Sequence, residues 1–518
     1  MLRRLRIASQ IMSFIIFTVL LLRTEYRGEN IISYPVKLFL DIDPLIAFTH
    51  ILATRAIQPA LLFSFIVIVL SFFFGRFFCG WICPLGTLNE FVHTFSKKSD
   101  TLLIKKNIWS HHQNVKFYLL VFLVIVSLFS LQITGIVDPI SLTIRSFSLS
   151  MLPVVNKIIN ATASVLYETH IPAISSVFEI FYSFAKMHIL SFNQPYFHQS
   201  VIVGLIFLAI LFTNIFLRRF WCRFLCPLGA LFGLFSKMSI LSLQQKQGCT
   251  ACHRCVQVCQ GASEPHIKTG WKPHECYVCG NCTSVCPEKV LTFTFKNPMK
   301  NIHTGTINLE RRKLIAAFAS GIFTVPLLKV GADDSVVNNM LVRPPGARAE
   351  KEFLRYCVRC GECMKVCITN GLHPTFLEAG IEGLWTPVFD FRMGYCEYNC
   401  TLCGQVCPTE AIKEISVAKK QNTSIGLACF DKSRCIPYVQ GENCIVCEEH
   451  CPTPQKAIRF REVKVVTLEG KEKITKLPYI DPELCIGCGI CEYKCPVSDV
   501  PAVRVTGTGA SRHQINHI

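Results

Sequence analysis

Cysteines in tight groups of four are the feature that most restricts how this chain can fold. The sequence has 29 cysteines in 518 residues, and 24 of them form six groups beyond residue 245. A chain of this length does not need a disulfide scaffold to replace a missing core, so the cysteines indicate metal or redox chemistry.

Four of the groups have the spacing Cys-x2-Cys-x2-Cys-x3-Cys, which is typical of bacterial ferredoxins. In that pattern a tight loop binds three corners of a 4Fe-4S cubane, and the fourth thiolate comes from the partner run. Two groups depart from the spacing. Cys396 and Cys400 are one residue further apart than usual, and the group that begins at Cys435 has a stretched first gap.

Crossed pairing of neighbouring runs predicts six 4Fe-4S clusters. The expected ligand sets are Cys249, Cys252, Cys255 and Cys286; Cys276, Cys279, Cys282 and Cys259; Cys357, Cys360, Cys363 and Cys407; Cys396, Cys400, Cys403 and Cys367; Cys435, Cys444, Cys447 and Cys495; and Cys485, Cys488, Cys491 and Cys451.

Zinc and haem are the alternatives to iron–sulfur clusters. Zinc also binds four thiolates, but it does not need the fourth cysteine followed by proline that Cys286-Pro287 shows. The C-x-x-C-H sequence that ends at His253 matches a haem attachment motif, but haem would leave Cys255 and Cys259 without a role. No histidine lies in an apolar run, so we expect no haem between membrane helices either.

Composition places part of the chain in a membrane, since 51% of its residues are apolar and only 17% are charged. Four apolar runs predict membrane spans, and a fifth, which contains Pro326, could be a span or a buried or interfacial helix. The five runs lie at 9–22, 59–78, 116–134, 199–217 and 314–330.

Basic residues predict the orientation of these spans. Residues 93–116 contain five lysines, whereas residues 135–198 contain three basic residues in a much longer stretch. The positive-inside rule therefore places the 93–116 loop and the N-terminus in the cytoplasm.

The membrane part contains an internal repeat. Residues 76–91 and 219–235 share the sequence Arg-Phe-x-Cys-x3-Cys-Pro-Leu-Gly, and the corresponding outer loops contain Asp43-Pro44 and Asp138-Pro139. A duplicated two-helix hairpin is the simplest explanation. Three interpretations remain open for the repeated thiols: a thiol/disulfide relay, a further metal centre, or plain buried cysteines. These thiols are Cys79, Cys83, Cys222 and Cys226.

The predicted fold is an α-helical polytopic membrane domain of duplicated two-helix hairpins with small α+β ferredoxin-like 4Fe-4S domains. The predicted regions are 1–240 (membrane), 241–300 (two-cluster ferredoxin), 310–332 (fifth span) and 333–518 (four-cluster ferredoxin). Cys429 is left as a free thiol or an alternative corner for the stretched cluster. Six clusters would offset about 12 of the 18 positive charges, so we expect no nucleic-acid partner.

Residues 1–297 resemble the NapH-type membrane ferredoxins, on the paired CxxxCP motifs and the double-cubane segment that follows. That resemblance implies oxidation of quinol in the bacterial inner membrane, with the two-cluster domain in the cytoplasm. Related membrane ferredoxins share the CxxxCP pairs, so the resemblance does not identify the electron acceptor.

Residues 310–518 resemble the NapG/MauM-type ferredoxins, which carry four clusters and are exported folded. The sequence from Glu310 to Ile315, Glu-Arg-Arg-Lys-Leu-Ile, looks like a twin-arginine signal. Together the two resemblances imply an electron-transfer subunit without a catalytic acid or base. It would pass electrons from the quinol pool to a periplasmic reductase or other redox protein. The alternatives are a maturation factor that reduces a metal or disulfide centre of a respiratory enzyme, and a passive scaffold.

Overall fold

The computed structural model describes residues 2–95, 104–168, 172–191, 193–266, 270–295, 307, 309–329, 340–466 and 472–512. Lys97 and Lys98 of the basic loop, and residues 330–332 of the predicted fifth span, lie outside the described residues. The chain forms two compact units. The first comprises Met1–Arg23, Pro35–Phe147 and Val201–Leu327, and the second comprises Thr24–Tyr34, Ser148–Ser200 and Leu328–Ile518.

The first unit is mainly helical. Its α-helices are Leu2–Arg23, Leu38–Asp41, Pro44–Thr54, Ser64–Phe74, Phe77–Trp81, Pro84–Thr94, Val115–Leu128, Thr134–Val137, Pro139–Ser146, Phe220–Phe224, Pro227–Ser236, Arg254–Gln257 and Asn281–Val285, with Ser200–Phe216 and Arg311–Lys329 extending to its boundary with the second unit. Short 3-10 turns occupy Pro59–Phe63, His111–Asn114 and Pro273–Glu275.

The second unit contains a π-helical turn, which starts at Phe147 and ends at Met151, and short helices between its cysteine groups. Its α-helices are Leu152–Glu168, Pro172–His188, Glu350–Tyr356, Glu362–Lys365, Leu402–Gln405, Val417–Gln421, Ile436–Val439, Val446–Glu449 and Ile490–Lys494.

Eight strands form four antiparallel pairs among the described residues. They are β1 (Leu241–Gln245), β2 (Leu291–Phe295), β3 (Leu372–Pro374), β4 (Pro387–Phe389), β5 (Leu427–Phe430), β6 (Ile458–Val466), β7 (Glu472–Ile480) and β8 (Val503–Thr506). The pairs are β1–β2, β3–β4, β5–β8 and β6–β7, and in β5–β8 Cys429 lies opposite Arg504.

Three helices in the described part of the chain are long and apolar enough to cross a membrane: Leu2–Arg23, Ile104–Leu128 and Pro139–Glu168. The third was expected to be an outer loop, because polar residues such as Asn156 and Lys157 lower its hydropathy. The predicted spans at 59–78 and 199–217 correspond to shorter helices. Gly75, with φ of +67°, ends the first of these after Phe74.

Pro326 does not end the helix Arg311–Lys329, in which it lies one turn from the C-terminus. The helix packs closely on Val115–Leu128, since a Cβ atom added to Gly321 would lie 2.9 Å from Cγ2 of Ile125. Near the start of both helices, the backbone N–H of Glu310 donates to the Tyr118 hydroxyl at 3.1 Å. The two helices therefore run side by side in the same direction.

The centre of the first unit lies where the two CxxxCP repeats meet. Phe78 of the first repeat and Phe232 of the second are fully buried, with ring centres 5.4 Å apart. Leu85 and Leu228, which follow the prolines of the two motifs, are also fully buried. The repeated sequence thus forms a shared core instead of two separate hairpin cores.

Candidate cluster sites and the four-thiol centre

The first candidate cluster site is an open cavity whose lining includes four cysteines. Three of them, Cys249, Cys252 and Cys255, come from one run, and Cys286 comes from the next run. The fold therefore brings together a crossed set of thiols, as the ferredoxin spacing predicts.

Three more cavities have the same crossed composition. Their cysteines are Cys357, Cys360, Cys363 and Cys407; Cys367, Cys396, Cys400 and Cys403; and Cys451, Cys485, Cys488 and Cys491. The cavity that contains Cys367 includes the group with an extra residue between Cys396 and Cys400. Both of these cysteines still line it.

The cysteines of the last two sets lie close to one another. Cys282 is near enough to Cys276, Cys279 and Cys259, and also to Cys255 of the neighbouring set, for their charges to interact. Cys447 is similarly near Cys435, Cys444 and Cys495. The stretched group thus brings Cys435 near its expected partners. Cys429 is exposed on β5, and the stretched group has four cysteines without it.

Left-handed backbone conformations shape the loops around these cavities. In each of the four regular runs, the residues directly before and after the second cysteine have positive φ angles, between 49° and 88°. The pairs are Ala251 and His253, Val278 and Gly280, Arg359 and Gly361, and Gly487 and Gly489. Such a loop turns successive amide groups toward one point and can surround an anion.

Backbone amides donate to several of the thiols, each from the residue two positions further along the chain. Asn281 donates to Cys279, Glu362 to Cys360 and Ile490 to Cys488. Hydrogen bonds to cluster sulfurs are one of the means by which a protein sets a cluster's reduction potential.

Burial raises the pKa of Cys276 to about 12 and that of Cys400 to about 11. Binding of iron would therefore displace protons from these sites. In the part of the chain that the structure describes, no three His, Cys, Asp or Glu side chains converge as around a single metal ion. Four thiols spread around a cavity suit a cubane, in which each thiolate binds a different iron atom.

The four cysteines of the two CxxxCP motifs also come together. The thiol of Cys222 interacts electrostatically with those of Cys79, Cys83 and Cys226, and all four side chains are buried. We call this group the four-thiol centre. Cys83 and Cys226 directly precede the helices Pro84–Thr94 and Pro227–Ser236, and the N–H of Gly229 donates to Sγ of Cys226 at 3.2 Å.

An arginine of each repeat donates a hydrogen bond to the backbone of the other repeat. Arg219 of the second repeat donates to the carbonyl oxygen of Cys79 at 2.8 Å, and Arg76 of the first donates to that of Cys222 at 3.4 Å. The glycine of the motif leaves space for the arginine of the other repeat, since a Cβ atom on Gly229 would lie 2.6 Å from Nη2 of Arg76. The two repeats therefore support one centre.

Tyr277 connects this centre to the first ferredoxin segment, and nothing in the sequence had singled it out. It lies between Cys276 and Cys279, and its ring centre is 4.8 Å from the guanidinium carbon of both Arg76 and Arg219. The Trp81 indole donates to the carbonyl oxygen of Val278 at 3.2 Å. The cysteine loop 276–279 thus packs directly on the first CxxxCP turn.

Buried ion pairs fix the surroundings of this contact. Glu275 accepts hydrogen bonds from Arg76 at 3.1 Å and from Lys116 at 2.5 Å, and all three side chains are fully buried. Burial alone would raise the pKa of Glu275, but Lys116 and Arg76 together outweigh that effect and hold the pKa below its ordinary value.

Comparison with known proteins supports the iron–sulfur interpretation. A family described as a 4Fe-4S binding domain matches residues 57–101 and 198–246, which include both CxxxCP motifs. A 4Fe-4S dicluster domain matches residues 413–498. No solved structure is similar to this chain.

Curated relatives match about a third of the chain. The ferredoxin-type protein NapG of Escherichia coli is 34% identical over 178 residues, which are 34% of this chain and 74% of NapG. The methylamine utilization ferredoxin-type protein MauM of Methylorubrum extorquens is 34% identical over 168 residues, 32% of this chain and 71% of MauM. The ferredoxin-type protein NapF of E. coli is 31% identical over 161 residues, 31% of this chain and 84% of NapF. The chain belongs to the family of NapG- and MauM-type 4Fe-4S ferredoxin proteins.

Proposed function

We propose that this chain is a membrane-bound electron-transfer protein with six 4Fe-4S clusters, which takes electrons from quinol and delivers them to a periplasmic redox protein. The observation that carries the proposal is the set of four cavities, each lined by three cysteines of one run and one of its partner. When bound, the clusters supply one-electron carriers. The protein supplies thiolates, amide donors and the spacing between sites.

The four-thiol centre is the proposed point of electron entry. It lies beside the loop of Cys276 and Cys279, with Tyr277 and the two repeat arginines in between. A buried, symmetrical group of thiols at this position can act either as a metal site or as a dithiol relay, and the proposal covers both. Electrons would pass from it to the first two clusters.

The composition of the second unit supports a periplasmic position for the last four clusters. Thr24–Tyr34 and Ser148–Ser200 belong to the same unit as Leu328–Ile518. The positive-inside rule puts Thr24–Tyr34 on the outer side in this proposal, since it follows the first predicted span, which leaves the cytoplasm. Within this unit two hydrogen bonds join Asn30 and Thr401. The Thr401 N–H donates to Oδ1 of Asn30 at 2.8 Å, and Nδ2 of Asn30 donates to Oγ1 of Thr401 at 3.1 Å.

The helix Arg311–Lys329 is not one of the three described helices that are long and apolar enough to cross a membrane, but its direction favours the same orientation. It runs in the same direction as Val115–Leu128, beside which it packs through Gly321, and that helix leaves the cytoplasm in the predicted topology. Small residues at such contacts are typical of helices that associate within membranes. The twin arginines at its start then lie on the cytoplasmic side.

Iron analysis and quinol reduction test the proposal. The full-length protein, purified without oxygen, should contain roughly 24 iron atoms and as many acid-labile sulfides. A menaquinol or ubiquinol analogue should bleach the cluster absorbance. About eight iron atoms would rule out the four-cluster domain. Clusters that quinol does not reduce, with a deletion strain that accumulates a misassembled reductase, would favour the maturation function.

A further inference from the structure

Two aspartates at equivalent positions of the repeat meet inside the first unit. Asp43 and Asp138 each precede a proline that starts a helix, and both side chains are fully buried. The sequence pattern placed them in outer loops. In the structure the helix Pro44–Thr54, which Asp43 caps, packs on the short helix Thr134–Val137, which ends at Asp138, and the two carboxyl groups are close enough for their charges to interact.

Each carboxylate uses one oxygen to cap its helix. Oδ1 of Asp43 accepts hydrogen bonds from the N–H groups of Leu45 at 2.9 Å and Ile46 at 3.3 Å. Oδ2 of Asp138 accepts them from Ile140 at 3.0 Å and Ser141 at 2.8 Å. Helix capping therefore uses one carboxylate oxygen of each aspartate and leaves the other oxygen without a capping role.

The second oxygen of Asp43 has no ordinary donor. Within the described residues no N–H or hydroxyl group donates to Oδ2 of Asp43, although the atom is buried. Oδ1 of Asp138 is also buried without a donor among the described residues. Two neighbouring buried carboxyl groups that lack donors disfavour double ionisation, so this geometry suits a pair with one proton and one negative charge.

The pair also lies near the four-thiol centre. Asp138 is close enough to Cys83 for their charges to interact, and the helix that Asp138 caps packs against Pro84–Thr94, which Cys83 precedes. A group that exchanges protons is therefore placed next to the group at which electrons are proposed to enter.

From this juxtaposition we infer that Asp43 and Asp138 form a proton-accepting pair for quinol oxidation, an inference that rests on the proposed function. Oxidation of a quinol to a quinone breaks two O–H bonds and releases two electrons and two protons. The two electrons pass one at a time to oxidised 4Fe-4S clusters, which are the oxidant in the proposed function. The singly charged pair accepts the first proton, becomes neutral, releases that proton to water and then accepts the second.

Asparagine variants separate proton transfer from helix capping. Asp43→Asn and Asp138→Asn keep a good N-cap side chain but cannot share a proton. Asp41→Asn, at a neighbouring aspartate that is 9% exposed and lies outside the pair, is the matched control. All are made in the full-length protein, loaded with clusters and reconstituted in liposomes.

We expect either pair variant to slow cluster reduction by a menaquinol analogue on the order of 100-fold, with the double variant no slower than the single ones. Reduction by dithionite, which delivers electrons without protons, should keep its wild-type rate in all variants. Infrared spectra should show a band of protonated buried carboxyl groups in the wild type and in Asp41→Asn, and either pair variant should lose the part of that band that comes from the pair, while the contribution of Glu362, whose pKa burial raises to about 7, remains.

Wild-type quinol rates in both pair variants, or an unchanged carboxyl band, would overturn the inference and leave the proposed function standing. A wild-type protein that quinol does not reduce would overturn the proposed function, and the infrared band would still test the shared proton. If an asparagine variant does not retain its clusters, Asp43→Ser and Asp138→Ser, which keep a capping oxygen, take its place in the same assays.

Discussion

The guanidinium of Arg219 lies over the ring of Tyr277, 4.8 Å from its centre, and so joins the second CxxxCP repeat to the first ferredoxin loop. Replacement of this ring with alanine should remove about 3–5 kcal/mol of packing and separate the loop from the four-thiol centre. We expect Tyr277→Ala to slow quinol-driven reduction of the clusters in stopped-flow measurements. Tyr277→Phe, which keeps the ring, is the control, and equal rates in both variants would contradict a bridging role.

The four-thiol centre should behave as a single unit. Serine at Cys79, Cys83, Cys222 or Cys226 should each impair quinol oxidation about as much as serine at all four, because groups of one centre are not additive. Cys429→Ser changes an exposed cysteine outside the centre and should leave the rate unchanged. Wild-type turnover in the quadruple variant would show that these cysteines only fill space.

Crossed ligand sets can be tested by counting iron in double variants. Cys357 and Cys407 line one cavity, whereas Cys367 lines another. Cys357→Ala with Cys407→Ala should therefore cost one cluster, about four iron atoms, and Cys357→Ala with Cys367→Ala should cost two, about eight. The reverse order of losses would show that each run binds its own cluster.

The buried charges around Glu275 predict a strong and specific loss of stability. Glu275→Gln would leave Arg76 and Lys116 buried without their carboxylate, a change that typically costs about 3–5 kcal/mol. Glu310→Gln, at an exposed carboxylate paired with Lys313, is the control and should have little effect on thermal unfolding.

The same site predicts the effect of acid. The pKa of Glu275 is lowered in the folded protein, so its stabilising contribution is complete above the ordinary glutamate pKa and is lost as the pH falls through the lowered value. Unfolding midpoints of the wild type should therefore fall on acidification more than those of Glu275→Gln. Parallel pH curves would contradict this assignment.

Cys429 offers a native reporter of topology. It is exposed on the strand β5, in the second unit. An impermeant maleimide added to intact spheroplasts should label the wild type and not Cys429→Ser if the four-cluster domain is periplasmic. Labelling that appears only after lysis would place this domain in the cytoplasm and remove the periplasmic acceptor from the proposed function.

Local patterns were readable from the sequence, and contacts between distant segments were not. The cysteine sets of the four regular runs could be predicted from spacing because three of the four expected ligands lie within seven residues of one another, as in Cys249 to Cys255. Tyr277 and the Asp43–Asp138 contact depend on segments about 50 to 200 residues apart, for which one sequence carries no signal. The helix Pro139–Glu168 was missed as a candidate span because its polar residues dilute its hydropathy.

The pairing of Arg76 with Glu275 has a consequence for how the protein is made. The arginine is synthesised 199 residues before the carboxylate that neutralises it. Lys116, which pairs with the same carboxylate, is also synthesised before it. A nascent chain that ends near residue 240 would hold these two cations without their counterion, so we expect the helices around them to reach their final packing only after the segment with Glu275 has emerged and docked. Folding of the helical segment and folding of the cysteine loops that follow it are then successive steps of one reaction. If the two segments were made as separate chains, their association would have to supply the counterion.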